Sequence, residues 1–110
     1  MATNYKVLGQ LAAGSATYET LYTVPSATEA VVSTVVVANR TASSKTYRLA
    51  IVPNGTAVVD QSFLAYDVAL AANDSTALTL GICLDATDTI RCYASAGSAI
   101  TFTAFGSEIA

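Results

Sequence analysis

The sequence predicts an all-β domain, an antiparallel β-sandwich of seven or eight strands of the immunoglobulin-like or jelly-roll kind. Three observations lead there. Runs rich in Val, Ile, Thr and Tyr recur along the 110 residues at nearly even spacing. Each run is bounded by Gly, Pro, Asn, Asp or Ser clusters that supply turn chemistry. No window carries apolar residues at i, i+3, i+4 and i+7 between caps, so crossover helices, and with them a parallel sheet, are not expected. The length suits one domain over residues 1–110, and 53% apolar residues against 12% charged is too hydrophobic for a disordered chain.

The first strand runs from Tyr5 to Gln10, and the small residues Ala12 to Ser15 link it onward. Thr17 to Val24 places Tyr18, Thr20, Tyr22 and Val24 on one face and Glu19, Leu21 and Thr23 on the other, until Pro25 ends it. Glu29 to Asn39 is the most continuous apolar stretch and reads as a core strand, far short of what a bilayer crossing requires. Lys45 to Val52 is half-buried, with Tyr47, Leu49 and Ile51 opposed by Thr46, Arg48 and Ala50. Pro53-Asn54-Gly55 turns the chain because Pro fixes φ while Asn and Gly tolerate positive φ. Phe63 to Leu70 puts Leu64, Tyr66, Val68 and Leu70 together, and Ser75 to Leu84 points Leu78, Leu80, Ile82 and Leu84 inward. Thr89 to Ser95 sets Ile90 and Cys92 against Arg91 and Tyr93. Ala99 to Phe105, alternating Ile100, Phe102 and Ala104 with Thr101 and Thr103, closes the domain.

Composition argues against most chemistry. With no His, the commonest general base and metal ligand are missing, and neither Lys6 nor Lys45 lies beside a nucleophilic Ser motif. The chain is therefore read as non-enzymatic and without cofactor or metal. The acid pairs Asp85 with Asp88 and Asp60 with Asp67 are read as turn residues rather than catalytic or calcium-binding pairs. Cys83 and Cys92 fit neither a redox pair nor a zinc site, and their opposite strand parities favour two free thiols. Five scattered basic residues against eight acidic ones argue against nucleic-acid binding. The N-terminal residues show no secretory pattern, so synthesis in the cytoplasm is expected and the Asn-x-Ser/Thr matches at Asn39, Asn54 and Asn73 are read as turns.

A charged fraction about half the usual ~25% suggests a surface covered by partners. Tyr is well suited to interfaces, since a large apolar ring carries a polar tip. Tyr93, with Arg91 beside it on the exposed parity, and Tyr5 on the first strand are the candidate interface residues. Few charges or prolines guard the strand edges, so the first or last strand is expected to pair with or pack on a neighbour.

Three stretches, Lys6 to Gln10, Leu21 to Pro25 and Val32 to Arg40, resemble small β-sandwich virion proteins of tailed bacteriophages. Tyr47 to Ile51, Asp85 to Ser95 and Phe102 to Ile109 continue the resemblance through the second half. It implies a subunit added to a particle, as cement or decoration on the capsid or as part of the neck, tail or fibre. It also implies a homo-oligomer, often a trimer, in contact with the major capsid protein or other virion proteins; the scattered basic residues and the short apolar runs separately argue against a nucleic-acid or membrane partner. A carbohydrate-binding module for host recognition is the alternative from another class, with Tyr side chains stacking on sugar rings.

Overall fold

The computed structural model describes residues 3–110, with Met1 and Ala2 outside the described residues. Eight strands form: β1 (Thr3–Ala12), β2 (Glu19–Thr23), β3 (Glu29–Asn39), β4 (Lys45–Val52), β5 (Phe63–Leu70), β6 (Ser75–Leu84), β7 (Thr89–Ala94) and β8 (Ile100–Ile109). Helix among the described residues is confined to two single 3-10 turns, Pro53–Gly55 and Asp60–Ser62. No helix among the described residues is long and apolar enough to cross a membrane.

The strands lie in two four-stranded antiparallel sheets, sheet A with order β1-β8-β3-β6 and sheet B with order β2-β7-β4-β5. Consecutive strands thus alternate between sheets, except that β4 pairs with β5. An immunoglobulin-like sandwich would keep its first two strands in one sheet, whereas here β1 and β2 face each other across the core. The topology is the jelly roll.

Alternation fills the space between the sheets. Val32, Val35, Val37, Ile100, Phe102 and Ala104 point inward from sheet A and meet Tyr47, Leu49, Ile90, Cys92 and Ala94 from sheet B. Tyr47 and Phe102 touch edge to face across the layers, ring centroids 6.2 Å apart. Cys92 lies in this core, where burial pushes its thiol up to about 12, while Cys83 is exposed on the outside of the other sheet. The two are free thiols on different layers.

Bulges shift the faces that strict alternation would assign. In β2 the register slips around Leu21, so Leu21 and Tyr22 are both buried although they are neighbours. In β6, Gly81 adopts φ 61° at a register shift, which turns Leu80 outward to 46% exposure instead of into the core. In β5, Asp67 at φ 49° places two residues, Tyr66 and Asp67, opposite one, Arg48. Leu64 and Tyr66 are consequently exposed, and only Leu70 of the expected inward set is buried. In sheet A, β8 is flanked on both sides by β1 and β3, so the last strand has no open edge. The edges are β1 and β6 in sheet A and β2 and β5 in sheet B.

Candidate interaction surfaces

Sheet B carries an aromatic cluster on its outer face. Because Ile90 and Cys92 point into the core, Arg91 and Tyr93 must point outward, and the register sets Tyr93 directly against Arg48 of β4. The β5 bulge brings Tyr66 and Asp67 to the other side of the same arginine. Tyr18, just before β2, completes the group.

Arg48 organises these side chains. Its Nε donates to Asp67 Oδ1 at 2.6 Å and its Nη2 to Oδ2 at 3.2 Å, a bidentate pair. Its Nη1 donates to the Tyr18 hydroxyl at 2.7 Å. The guanidinium carbon lies 4.1 Å from the centroid of Tyr66 and 4.3 Å from that of Tyr93, within cation–π range of both. The guanidinium beside Asp67 holds that carboxyl below the usual carboxylate range. Tyr18 in turn packs on Tyr93 with centroids 4.9 Å apart and ring planes tilted by 42°, and Phe63 meets Tyr66 edge to face at 4.8 Å.

Beside the cluster, the segment carrying the two 3-10 turns folds over the end of sheet B, where Ala50 and Val52 are buried. Reciprocal bonds between Val59 and Ser62 hold the second turn: the Ser62 amide donates to the Val59 carbonyl and the Val59 amide to Ser62 Oγ. A recess of about 380 Å³ opens between this segment and the rings, lined by Tyr18, Val58, Val59, Asp60, Phe63 and Tyr66.

The outer face of sheet A differs in kind. Reading across β1, β8, β3 and β6, its rows are Tyr5, Ser107, Val31 and Cys83, then Val7, Phe105, Thr34 and Thr79, then Gln10, Thr103, Val36 and Ala77. Of the chain's thirteen Lys, Arg, Asp and Glu residues, only Glu29 at one end points from this face. Lys6 and Glu108 sit on the inward parity of the same strands, where Lys6 Nζ lies 2.8 Å from Glu108 Oε1. Glycine makes room for two close backbone approaches at this sheet. A Cβ at Gly106 would overlap the Val31 carbonyl beside the extra residue Ser33, and one at Gly9 would overlap the Leu21 carbonyl.

The three candidate residues from the sequence therefore fall on two surfaces. Tyr93 stands in the aromatic cluster, and Arg91 lies on the same face but gives its Nε to Thr89 Oγ1 at 3.2 Å. Tyr5, 84% exposed, belongs to the opposite side of the molecule on sheet A. Arg48, Tyr66 and Asp67 are not among the residues expected from the sequence. The outward parity of Arg48 was readable, but the bulge that turns Tyr66 and Asp67 toward it was not, apart from the hint of an Asp inside a strand.

The acid pairs resolve separately. Asp88 accepts from the backbone amides of Asn54 at 3.1 Å and Asp85 at 2.9 Å, so its carboxylate closes the β6–β7 corner. Asp60 and Asp67 are parted, one in the recess and one on Arg48. The sequon residues have structural places: Asn39 is buried, and Asn54 and Asn73 take left-handed turn conformations.

No protein-family model matches the chain, and no curated protein matches it. Among solved structures it is similar to a chain in the structure of infectious bursal disease virus, Gx strain, with a TM-score of 0.54 and 15% identity. The match covers 97% of this chain and 31% of that one, so the present chain spans about a third of its neighbour's length. At that identity the likeness is one of fold, and the fold the two share is the β-sandwich described above.

Proposed function

We propose that this chain is a non-enzymatic structural subunit of a virus particle, of the tailed-bacteriophage type, made in the host cytoplasm and bound to the head shell as a cement or decoration protein. Its partners in this reading are copies of itself and the major capsid protein, with no nucleic-acid or membrane contact. The observation that carries the reading is the nearly charge-free outer face of sheet A. A chain of net charge −3 repels its own copies, and this is the face on which they can approach with the fewest like charges. Four strands ~4.8 Å apart and some ten residues long present roughly 600 Å². Two such faces packed together bury about 1,200 Å², the lower bound of a specific interface. The fold shared with a chain of a virus structure and the resemblance of the sequence to small virion proteins support the same reading.

Light scattering of the purified protein, with its copy number in purified particles, tests this. An oligomer in solution and hundreds of copies per particle are expected, and Val36→Lys, placing a charge at the centre of the face, is expected to give monomers that retain the wild-type circular dichroism. Low copy number with retention on isolated tails would move the protein to the neck, tail or fibre. Absence from the particle would overturn the structural role.

A further inference from the structure

The aromatic face of sheet B has two places where aromatic rings stand beside a carboxylate, and one is filled by the protein itself. In the first, Tyr66 and Tyr93 flank a guanidinium whose counter-charge is Asp67, and the guanidinium is that of Arg48. In the second, Tyr18, Phe63 and Tyr66 surround the recess of about 380 Å³, and the carboxylate is Asp60. Among the described residues Asp60 makes no ion pair. We infer that the recess is a binding site for an arginine side chain presented by a protein partner.

Three features fit that ligand. Three aromatic rings, Tyr18, Phe63 and Tyr66, line the recess and supply the π surface that attracts a planar cation. Val58 and Val59 line the other side and offer apolar surface to the three-methylene stem of an arginine. Asp60 supplies the opposite charge at the rim, in a chain that is negative overall. A sugar would need several polar groups converging on its hydroxyls, and here only one carboxylate and the phenols are available. The inference does not depend on the proposed place of the protein in a virion.

The test is an NMR titration of the labelled protein with N-acetyl-arginine methylamide, run in parallel with the citrulline analogue, which has the same shape and no charge. Saturable shifts centred on Tyr18, Phe63 and Tyr66 are expected with arginine, and at least about fivefold weaker binding with citrulline. Asp60→Asn, an exposed substitution that leaves the rings and valines in place, is expected to weaken arginine binding about threefold or more. Equal binding of the two probes, unchanged affinity in Asp60→Asn, or shifts centred on Asp67 instead of the recess would each overturn the assignment. Since the measurement needs no particle, its failure is separate from failure of the structural role.

Discussion

Glu108 occupies an inward position of β8, where a charged side chain is costly unless it is paired. Two neighbours pair it: Lys6 from β1, and Tyr22 from β2, whose hydroxyl donates to Glu108 Oε2 at 2.5 Å. Lys6 first and Tyr22 second hold the Glu108 carboxyl below its usual range, while burial and the Glu108 contact push the Tyr22 phenol up. A carboxyl whose folded pKa is depressed adds stability above its unfolded value, about 4.3, and loses it as pH falls through the folded one. Glu108→Gln should therefore be less stable than wild type at pH 7, and the gap should begin to narrow as pH falls below about 4.3 and vanish only below the lower folded pKa. Urea denaturation at a series of pH values reads this directly, and a gap independent of pH would show that the carboxylate charge is not what stabilises the site. Asp67 on Arg48, also shifted down, leaves wild type and variant alike with some acid sensitivity. None of these partnerships was visible in the sequence, because the three residues are joined only by the approach of β1, β8 and β2, with 86 positions separating Tyr22 from Glu108.

At the scale of elements, Asn39 shows how a strand end is fastened. It is 3% exposed, and its Nδ2 donates to the carbonyls of Ser43 at 2.9 Å, Leu70 at 3.1 Å and Ala71 at 3.2 Å. Its Oδ1 accepts from the amide of Thr41 at 3.0 Å and from Thr41 Oγ1 at 2.7 Å. One side chain thus ties the end of β3 to its own loop and to the end of β5, bridging the two sheets. Asn39→Ala leaves several of these groups without a partner and should cost roughly 1–3 kcal/mol, measurable as a lower urea midpoint at unchanged slope. A loss of under about 0.5 kcal/mol, the range of ordinary surface substitutions, would mean the loop reorganises freely around it. The strands themselves were legible: Glu29–Asn39, Lys45–Val52, Phe63–Leu70 and Ser75–Leu84 fall at the ends that turn residues mark. Faces were legible wherever alternation is unbroken, as in β7. They failed at Leu21, Leu80 and Tyr66, because a bulge inserts one residue and inverts everything beyond it.

For the whole molecule, topology sets both the folding problem and the location of the surfaces. Only the β4–β5 ladder joins consecutive strands, while β1 must find β8 at the far end of the chain. Closing such long loops before any contact repays the entropy makes folding slow, so refolding should fall in the range of about milliseconds to seconds. Stopped-flow fluorescence of the tyrosines checks this, and a complete microsecond phase would contradict it. The same topology carries Tyr5 to one outer face and Tyr93 to the other, dividing one expected interface into two.

Features that depend on neighbours along the chain could be read from the residues directly: the all-β class, the strand spans, the turns at Pro53, Asn54 and Asn73, and the scarcity of charge. Period-two alternation and local turn chemistry are written in consecutive residues and need no partner to be read. Folding in three dimensions was needed to make the sandwich a jelly roll, to leave one sheet face nearly bare of the thirteen charges, and to hold Arg48 among Tyr18, Tyr66, Asp67 and Tyr93. Each of these depends on strand order and on bulge position, which arise when distant segments pair and which no local pattern records.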